Sequence, residues 1–326
     1  MEKPNYRKVI QLGKTTSCVS LPKAWLEKYG IEKGDTILLD IKPNGTLIIT
    51  PKIKSQTYEA EITINTKGKS LEEVKRNIIA AYINNYTRIN IIGDNIAKSL
   101  TSFSRISELL TATEIMGVEN DKIVIKAFFD ANSASIKHVI TRLNMMIRSL
   151  FTHIKNILLN DEKNYEFLKR ENEINRICFM GFRILSHTSG NFSKIYLQGK
   201  DEIDVLSTWM MLDKLEKIAD RLYGIGSILK NSKNLENAGN QCKKNIANLV
   251  SNVENVYKTA ILSFYNNDRA AAHKIIGLCQ KNSKLCNNKQ VKYNNKHIVL
   301  LSEKLDRVNT IAKHIGMIVI DKQPID

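Results

Sequence analysis

Three carboxylates, Asp213, Glu216 and Asp220, stand three and four residues apart within WMMLDKLEKIADRLYGIG. On a helix that spacing puts them on one face, and carboxylate oxygens are the ligands that hard cations take. The same stretch carries Met211, Leu215, Ile218, Leu222, Ile225 and Leu229 in alternating steps of four and three. Those steps make a narrow apolar seam for packing against other helices. At about 100° per residue the acidic stripe lies almost opposite the seam. Two readings stay open. A row of acids facing solvent needs no ligand, and Lys217, four residues after Asp213, can pair with it. Alternatively, the row is an oxygen-ligand cation site on the outside of a bundle.

Other chemistry is sparse. The six histidines (138, 153, 187, 273, 297 and 314) form no H-x-x-x-H pair, and no Ser/His/Asp or Cys/His set stands out, so an enzyme is not expected. The five cysteines make no C-x-x-C pair, and buried, reduced thiols are the expected state. A chain of 326 residues with net charge +16 has room for two or three domains and favours a polyanionic partner. There is no apolar run of eighteen residues and no signal-peptide pattern, so a cytoplasmic protein with no membrane insertion is the expectation.

Residues 1–54 alternate short strands with turns. Strands are expected at 7–11, 17–21, 36–41 and 46–50, with a short helix at 23–29 opened by Pro22 and stopped by Gly30. Asn44-Gly45 signals a tight hairpin. Four short strands cannot enclose a core alone, so this stretch should pair with a second copy and form the principal dimer interface. Ten basic residues stand against five acids here, a net of +5. The sequence RKVIQLGK, then VSLPKAWLEKYGIEKGDTILL, then NGTLIITP resembles the AbrB/SpoVT-type swapped-hairpin DNA-binding domain. The resemblance implies an interleaved homodimer with basic residues facing double-stranded DNA, and places Arg7 and Lys14 where that family carries contacting arginines. With the local charge, the expected DNA-contacting set is Arg7, Lys8, Lys14 and Lys23.

Residues 55–130 read as a β-α-β-α-β segment: strands at 59–64, 88–92 and 122–129, a helix from the capping box Ser70/Glu73 through 85, and a second helix at 99–116. No phosphate-cradling glycine loop occurs in it. Everything from residue 131 to 326 is expected to be helical, in segments 132–160, 163–189, 200–231, 237–267, 268–284 and 293–320. Breaks are expected at 160–161, 188–191 and the Asn/Lys-rich 284–295. LEKIADRLYGIG (215–226) and SEKLDRVNTIAKHIG (302–316) align Asp220 with Asp306, which marks an internal repeat of two three-helix groups.

These features, with YKTAILSFYNNDRAAAHKII (257–276), resemble the phosphate-uptake regulator PhoU. That resemblance implies tandem three-helix bundles with E/D-x-x-x-D motifs holding cations on their outer faces. Carried over, Glu216 and Asp220 form one intact motif. RENEINRI (170–177) supplies Glu171 and Asn175 at the partner positions, with Glu173 nearby as a substitute. The second repeat has Ser302 in place of the first acid and Glu303 as a neighbour of Asp306. A single metal site at Glu171, Glu216 and Asp220, for a divalent or iron-type ion, is therefore the most that is expected. Together the fold expectation is a multidomain α+β chain: an all-β swapped-hairpin dimer domain, a small α/β middle segment and an all-α tandem of three-helix bundles. The functional expectation is a DNA-binding transcriptional regulator linked to phosphate uptake. The alternative is a phosphate-signalling adaptor that docks on a phosphate transporter ATPase without binding DNA.

Overall fold

A computed structural model describes residues 6–41, 45–51, 60–131, 134–160, 164–189, 202–231, 240–292 and 296–322. The chain divides into two compact units, Met1–Tyr58 and Glu59–Asp326.

The first unit holds two separate antiparallel hairpins. Strands β1 (Ile10–Leu12) and β2 (Thr16–Cys18) pair Ile10 with Cys18 across a turn in which Gly13 has φ +74°. Helix α1 (Lys23–Tyr29) follows; Pro22 is its N-cap rather than its first residue, and Gly30, at φ +57°, ends it in the left-handed conformation. Strands β3 (Ile37–Ile41) and β4 (Leu47–Pro51) pair Ile41 with Leu47. Five residues therefore separate the strands, not the two of the tight turn that Asn-Gly signals. Gly45 has φ +82°, whereas Asn44 lies outside the described residues. α1 buries no residue. Ile10, Leu12, Leu39, Ile41 and Leu47 are all more than half exposed in the single chain.

The second unit begins with a four-stranded sheet in the order β5-β6-β8-β7. β5 (Glu61–Asn65) and β6 (Arg88–Ile92) are parallel, joined by the crossover helix α2 (Leu71–Ile83). The capping box forms as expected: Glu73 N donates to Ser70 Oγ at 3.3 Å, and Ser70 N donates to the Glu73 carboxylate at 2.7 Å. Helix α3 (Leu100–Glu108) then leads to β7 (Thr113–Val118) and β8 (Lys122–Ala127), both antiparallel to their neighbours. The helix expected over 99–116 is thus cut short. Ala112 turns the chain at φ +53°, and Thr113, Ile115 and Val118 are β-branched residues that fit an edge strand better than a helix face. The sheet core gathers Ile78, Tyr82, Ile89, Ile91, Phe103, Ile123 and Ile125.

Six long helices complete this unit: α4 (Ile136–Asn160), α5 (Glu171–Ser189, after a 3-10 turn at Glu166–Arg170), α6 (Glu202–Asn231), α7 (Asn240–Asn266), α8 (Arg269–Lys292) and α9 (Lys296–Lys322). α8 runs eight residues past the expected end at 284. Asn and Lys only weakly disfavour a helix, and neither Gly nor Pro interrupts the stretch. α4, α5 and α6 pack on one another, as do α7, α8 and α9, and the two triads join through α6 against α9 and α4 against α7. The seam residues Met211, Leu215, Ile218 and Leu222 are wholly buried. The expected boundary at 130/131 falls between the sheet core and the bundle core, inside one compact unit.

α5 serves both cores. Ile174, Ile177 and Cys178 lie in the bundle core, while Phe179 packs on the sheet core. Its Arg183 is 2% exposed, and Nη1 donates to the carbonyls of Tyr82 and Tyr86, the latter at 3.1 Å. The guanidinium also sits 4.6 Å from the centre of the Tyr82 ring. In return, Asn85 Nδ2 donates to the Arg183 carbonyl at 3.3 Å. Arg183→Met keeps most of the aliphatic volume but removes the donor to the Tyr86 carbonyl, while the Tyr82 carbonyl keeps the Asn85 N–H at 3.1 Å. At about 1–3 kcal/mol for one orphaned group, the variant should lose about 1–3 kcal/mol in urea denaturation; a loss below about 0.5 kcal/mol would contradict this account.

Candidate metal centre and nucleic-acid interface

The acidic row lies on α6, which packs against α5. Glu216 is half-buried, while Asp220 and Glu171, the latter at the start of α5, are exposed at the rim. Burial raises the Glu171 carboxyl above its usual range, and the charge of Asp220 raises it further. Burial also raises Glu216, followed by the charges of Asp220 and Asp213, with Lys217 and Arg76 pulling the other way. Burial raises Asp220 against the pull of Arg221. Glu171 and Glu216 thus each feel the charge of Asp220. The buried Cys178 thiol is pushed far up by burial and by Glu216, Asp220 and Asp213, which leaves it protonated and inert.

Two neighbouring acids are already engaged. Burial works against the charged form of Asp213, but hydrogen bonds from Lys217 and Lys214, both 2.9 Å, hold its carboxyl below the usual range. Glu173 fares likewise: burial is outweighed by Arg142 at 2.8 Å and Arg170 at 3.0 Å, so it is no substitute ligand. Asn175, one turn after Glu171, has a buried side-chain oxygen that no donor reaches among the described residues. An amide oxygen is a ligand type that hard cations accept. Even so, no three His, Cys, Asp or Glu side chains among the described residues converge tightly enough to hold a metal ion. In the second triad Asp306 accepts a 2.6 Å hydrogen bond from Ser283, and the buried Asn309 donates to the Cys279 carbonyl at 3.0 Å. The aligned position there is committed to packing. Arg76, whose charge reaches Glu216 from α2, was invisible to helical spacing because it comes from the sheet layer.

The four expected DNA-contacting residues lie outside the strands. Arg7 and Lys8 precede β1, which starts only at Ile10, and Lys14 occupies the hairpin turn; all three are exposed. Arg7 and Lys8 thus stand at the open end of the hairpin and Lys14 at its tip. Lys23 opens α1 and approaches Glu27 at 3.6 Å, with both side chains well exposed. Such a pair is worth little and leaves the ammonium available.

Residues 14–57 match the family model described as antidote-toxin recognition MazE, bacterial antitoxin. The match covers Lys14, Lys23 and the β3–β4 hairpin, while Arg7 and Lys8 precede it. No curated protein and no solved structure matches the chain.

The raised Glu216 carboxyl fixes the sign of a pH effect. A glutamate whose folded pKa is raised carries stability that is fully present below its unfolded pKa and is lost as pH rises through the folded one. In a chelating buffer Glu216→Gln should therefore raise the melting temperature at pH 7, and the gain should vanish below about pH 4. If the carboxylates take a divalent cation, a millimolar concentration should raise the wild-type melting temperature at pH 7 and leave the variant nearly unmoved. A variant that melts lower than wild type at pH 7 in chelator would refute the burial and repulsion described for this carboxylate.

Proposed function

We propose that the chain is a DNA-binding transcriptional regulator that works as a homodimer through its first unit, with the sheet-and-bundle unit as a sensor or docking module linked to phosphate uptake. The observation that carries the reading is the exposure of Ile10, Leu12, Leu39, Ile41 and Leu47 in one chain. Two-stranded hairpins with bare apolar faces are not stable alone in water, and a second copy interleaved with the first supplies the missing core. The match of residues 14–57 to the MazE antitoxin model and the net +5 of residues 1–54 support a nucleic-acid partner.

The phosphate link rests on the two helical triads and on the PhoU-like motif at Glu216 and Asp220. In this reading Glu171, Glu216 and Asp220, with the orphaned Asn175 oxygen, take one divalent or iron-type cation, whose charge would relieve three carboxylates that burial and repulsion disfavour. The adaptor alternative keeps the triads and gives the first unit dimerisation alone, with a phosphate transporter ATPase as the docking partner. Among the described residues no helix is long and apolar enough to cross a membrane.

Two measurements test this reading. Removing residues 1–58 should leave a soluble sheet-and-bundle unit, which has its own two cores, at lower mass by light scattering than the full chain. An unchanged oligomer would place the interface elsewhere. In DNA-binding assays Lys8→Ala/Lys14→Ala removes up to four phosphate contacts per dimer. The slope of log affinity against log salt should then flatten by up to roughly 3.6, and equally on specific and random duplexes. Arg7→Ala should instead cost about 1–3 kcal/mol of sequence discrimination, as loss of a bidentate guanine contact does. No affinity for any duplex at low salt would hand the case to the adaptor.

A further inference from the structure

α2 and α5 run side by side in the same direction. Tyr82 and Tyr86, at the end of α2, meet Arg183 on α5, whereas Leu71, Glu72 and Lys75 meet Arg170, Glu173 and Arg176 eleven or so residues earlier. At this early end the helices are not latched together. With α3 and the 3-10 turn before α5, they enclose a cleft of about 880 Å³. That is the size of a small-molecule site, and its lining lies wholly within the second unit.

Its lining is polarised. Lys75, Arg105, Lys169, Arg170 and Arg176 come from four elements and outnumber Glu72, Glu108 and Glu173. Two of those acids are already neutralised: Glu72 by Lys75 at 3.3 Å, and Glu173 by Arg170 at 2.9 Å with help from Arg142 at 2.8 Å. Lys169 pairs with Glu166 at 2.8 Å, between two well-exposed side chains. Arg105 and Arg176 make no ion pair among the described residues. Both guanidiniums line the cleft, and their planar forks fit phosphate oxygens. The positive ends of the α2 and α5 dipoles add to the same field. Beside the charges, the half-exposed Leu71 with Ile106 and Leu109 offers an apolar shelf, and Ser102 and Asn172 offer neutral hydrogen-bonding groups.

We propose that this cleft binds a nucleotide-sized phosphorylated metabolite, with the phosphate held by Arg105 and Arg176 and the flat apolar part of the ligand lying on Leu71, Ile106 and Leu109. An inorganic phosphate would satisfy the arginines and leave the shelf bare; a nucleoside phosphate uses both. The inference does not depend on the first unit binding DNA.

The test is calorimetric titration of the full chain with ADP at physiological salt, with inorganic phosphate as the second probe. Wild type should bind one ADP per chain at micromolar concentration and phosphate far more weakly. Arg105→Ala/Arg176→Ala should weaken ADP at least tenfold. Both side chains are exposed, so the melting curve of this variant should match that of wild type, and Arg105→Lys/Arg176→Lys should recover part of the affinity. Lys8→Ala/Lys14→Ala serves as the control for general attraction of anions to a basic chain and should bind ADP like wild type. Hydrogen exchange at 71–75 and 170–176 should slow on ADP addition. The proposal is overturned by no ADP binding up to millimolar, by equal affinity for phosphate and ADP, or by a loss as large in the Lys8/Lys14 variant as in the arginine variant.

Discussion

The guanidinium of Arg183 fixes the second unit as one body. A buried cation is costly to desolvate, and burial does lower its pKa. Arginine nonetheless stays charged in proteins, so the cost has to be met by partners. Here these are two carbonyls at the end of α2 and the face of Tyr82. Tyr82 is in the last turn of α2 and Tyr86 just beyond it, where a cation is favoured by the helix dipole. α5 thereby satisfies the end of a helix that belongs to the sheet layer. With α5 held against α2 at this end, Glu171 at its start comes within reach of the Asp220 charge on α6, and Arg176, with Arg170 just before the helix, lines a cleft shared with α3.

One charged helix face shows how neighbours decide the state of a carboxylate. Asp213, Glu216 and Asp220 share a face by spacing alone. Asp213 has two lysines in contact and is held below the usual range, whereas Glu216 and Asp220 face α5 and one another and are raised. The repeat copy at Asp306 takes a third course, as acceptor in a buried network of Ser283, Asn309 and Cys279. Sequence similarity between 215–226 and 302–316 reflects shared helix packing, while the chemistry at the matched aspartates differs because Ser302 is buried where Glu216 is not.

What was legible in the sequence was periodic or local. The seam from Met211 to Leu229, the Ser70/Glu73 box, the six long helices and the β6 limits at Arg88–Ile92 follow from side-chain spacing and capping, which act within a few residues. β7 was missed although Thr113, Ile115 and Val118 are β-branched, because an edge strand also depends on its partner β8. The reach of α8 to Lys292 was missed because weak helix formers continue a helix once packing has begun it. Glu171 could be set beside Asp220 only through a family resemblance. Arg105 and Arg176 could not be set beside each other at all, since tertiary packing alone brings α3 to α5.

The first unit raises a different question, because in the proposed homodimer its fold and its association would be coupled. Each hairpin has three to five residues per strand and no buried side chain in α1 to lean on. Isolated two-stranded ribbons of that size are marginal in water, and a protomer whose apolar groups stay exposed gains little to set against the entropy of ordering its chain. If a second copy supplies the core, folding and dimerisation are one equilibrium, and stability depends on protomer concentration. The arrangement of charge follows from the same coupling. Within one chain Lys14 is separated from Arg7 and Lys8 by the length of the β1–β2 hairpin, so a continuous basic surface requires the tip of one hairpin to lie near the base of another. An interleaved dimer meets that condition. Dilution would then remove the hydrophobic core and the phosphate-binding surface together, so that DNA, by binding only the paired form, would also stabilise it.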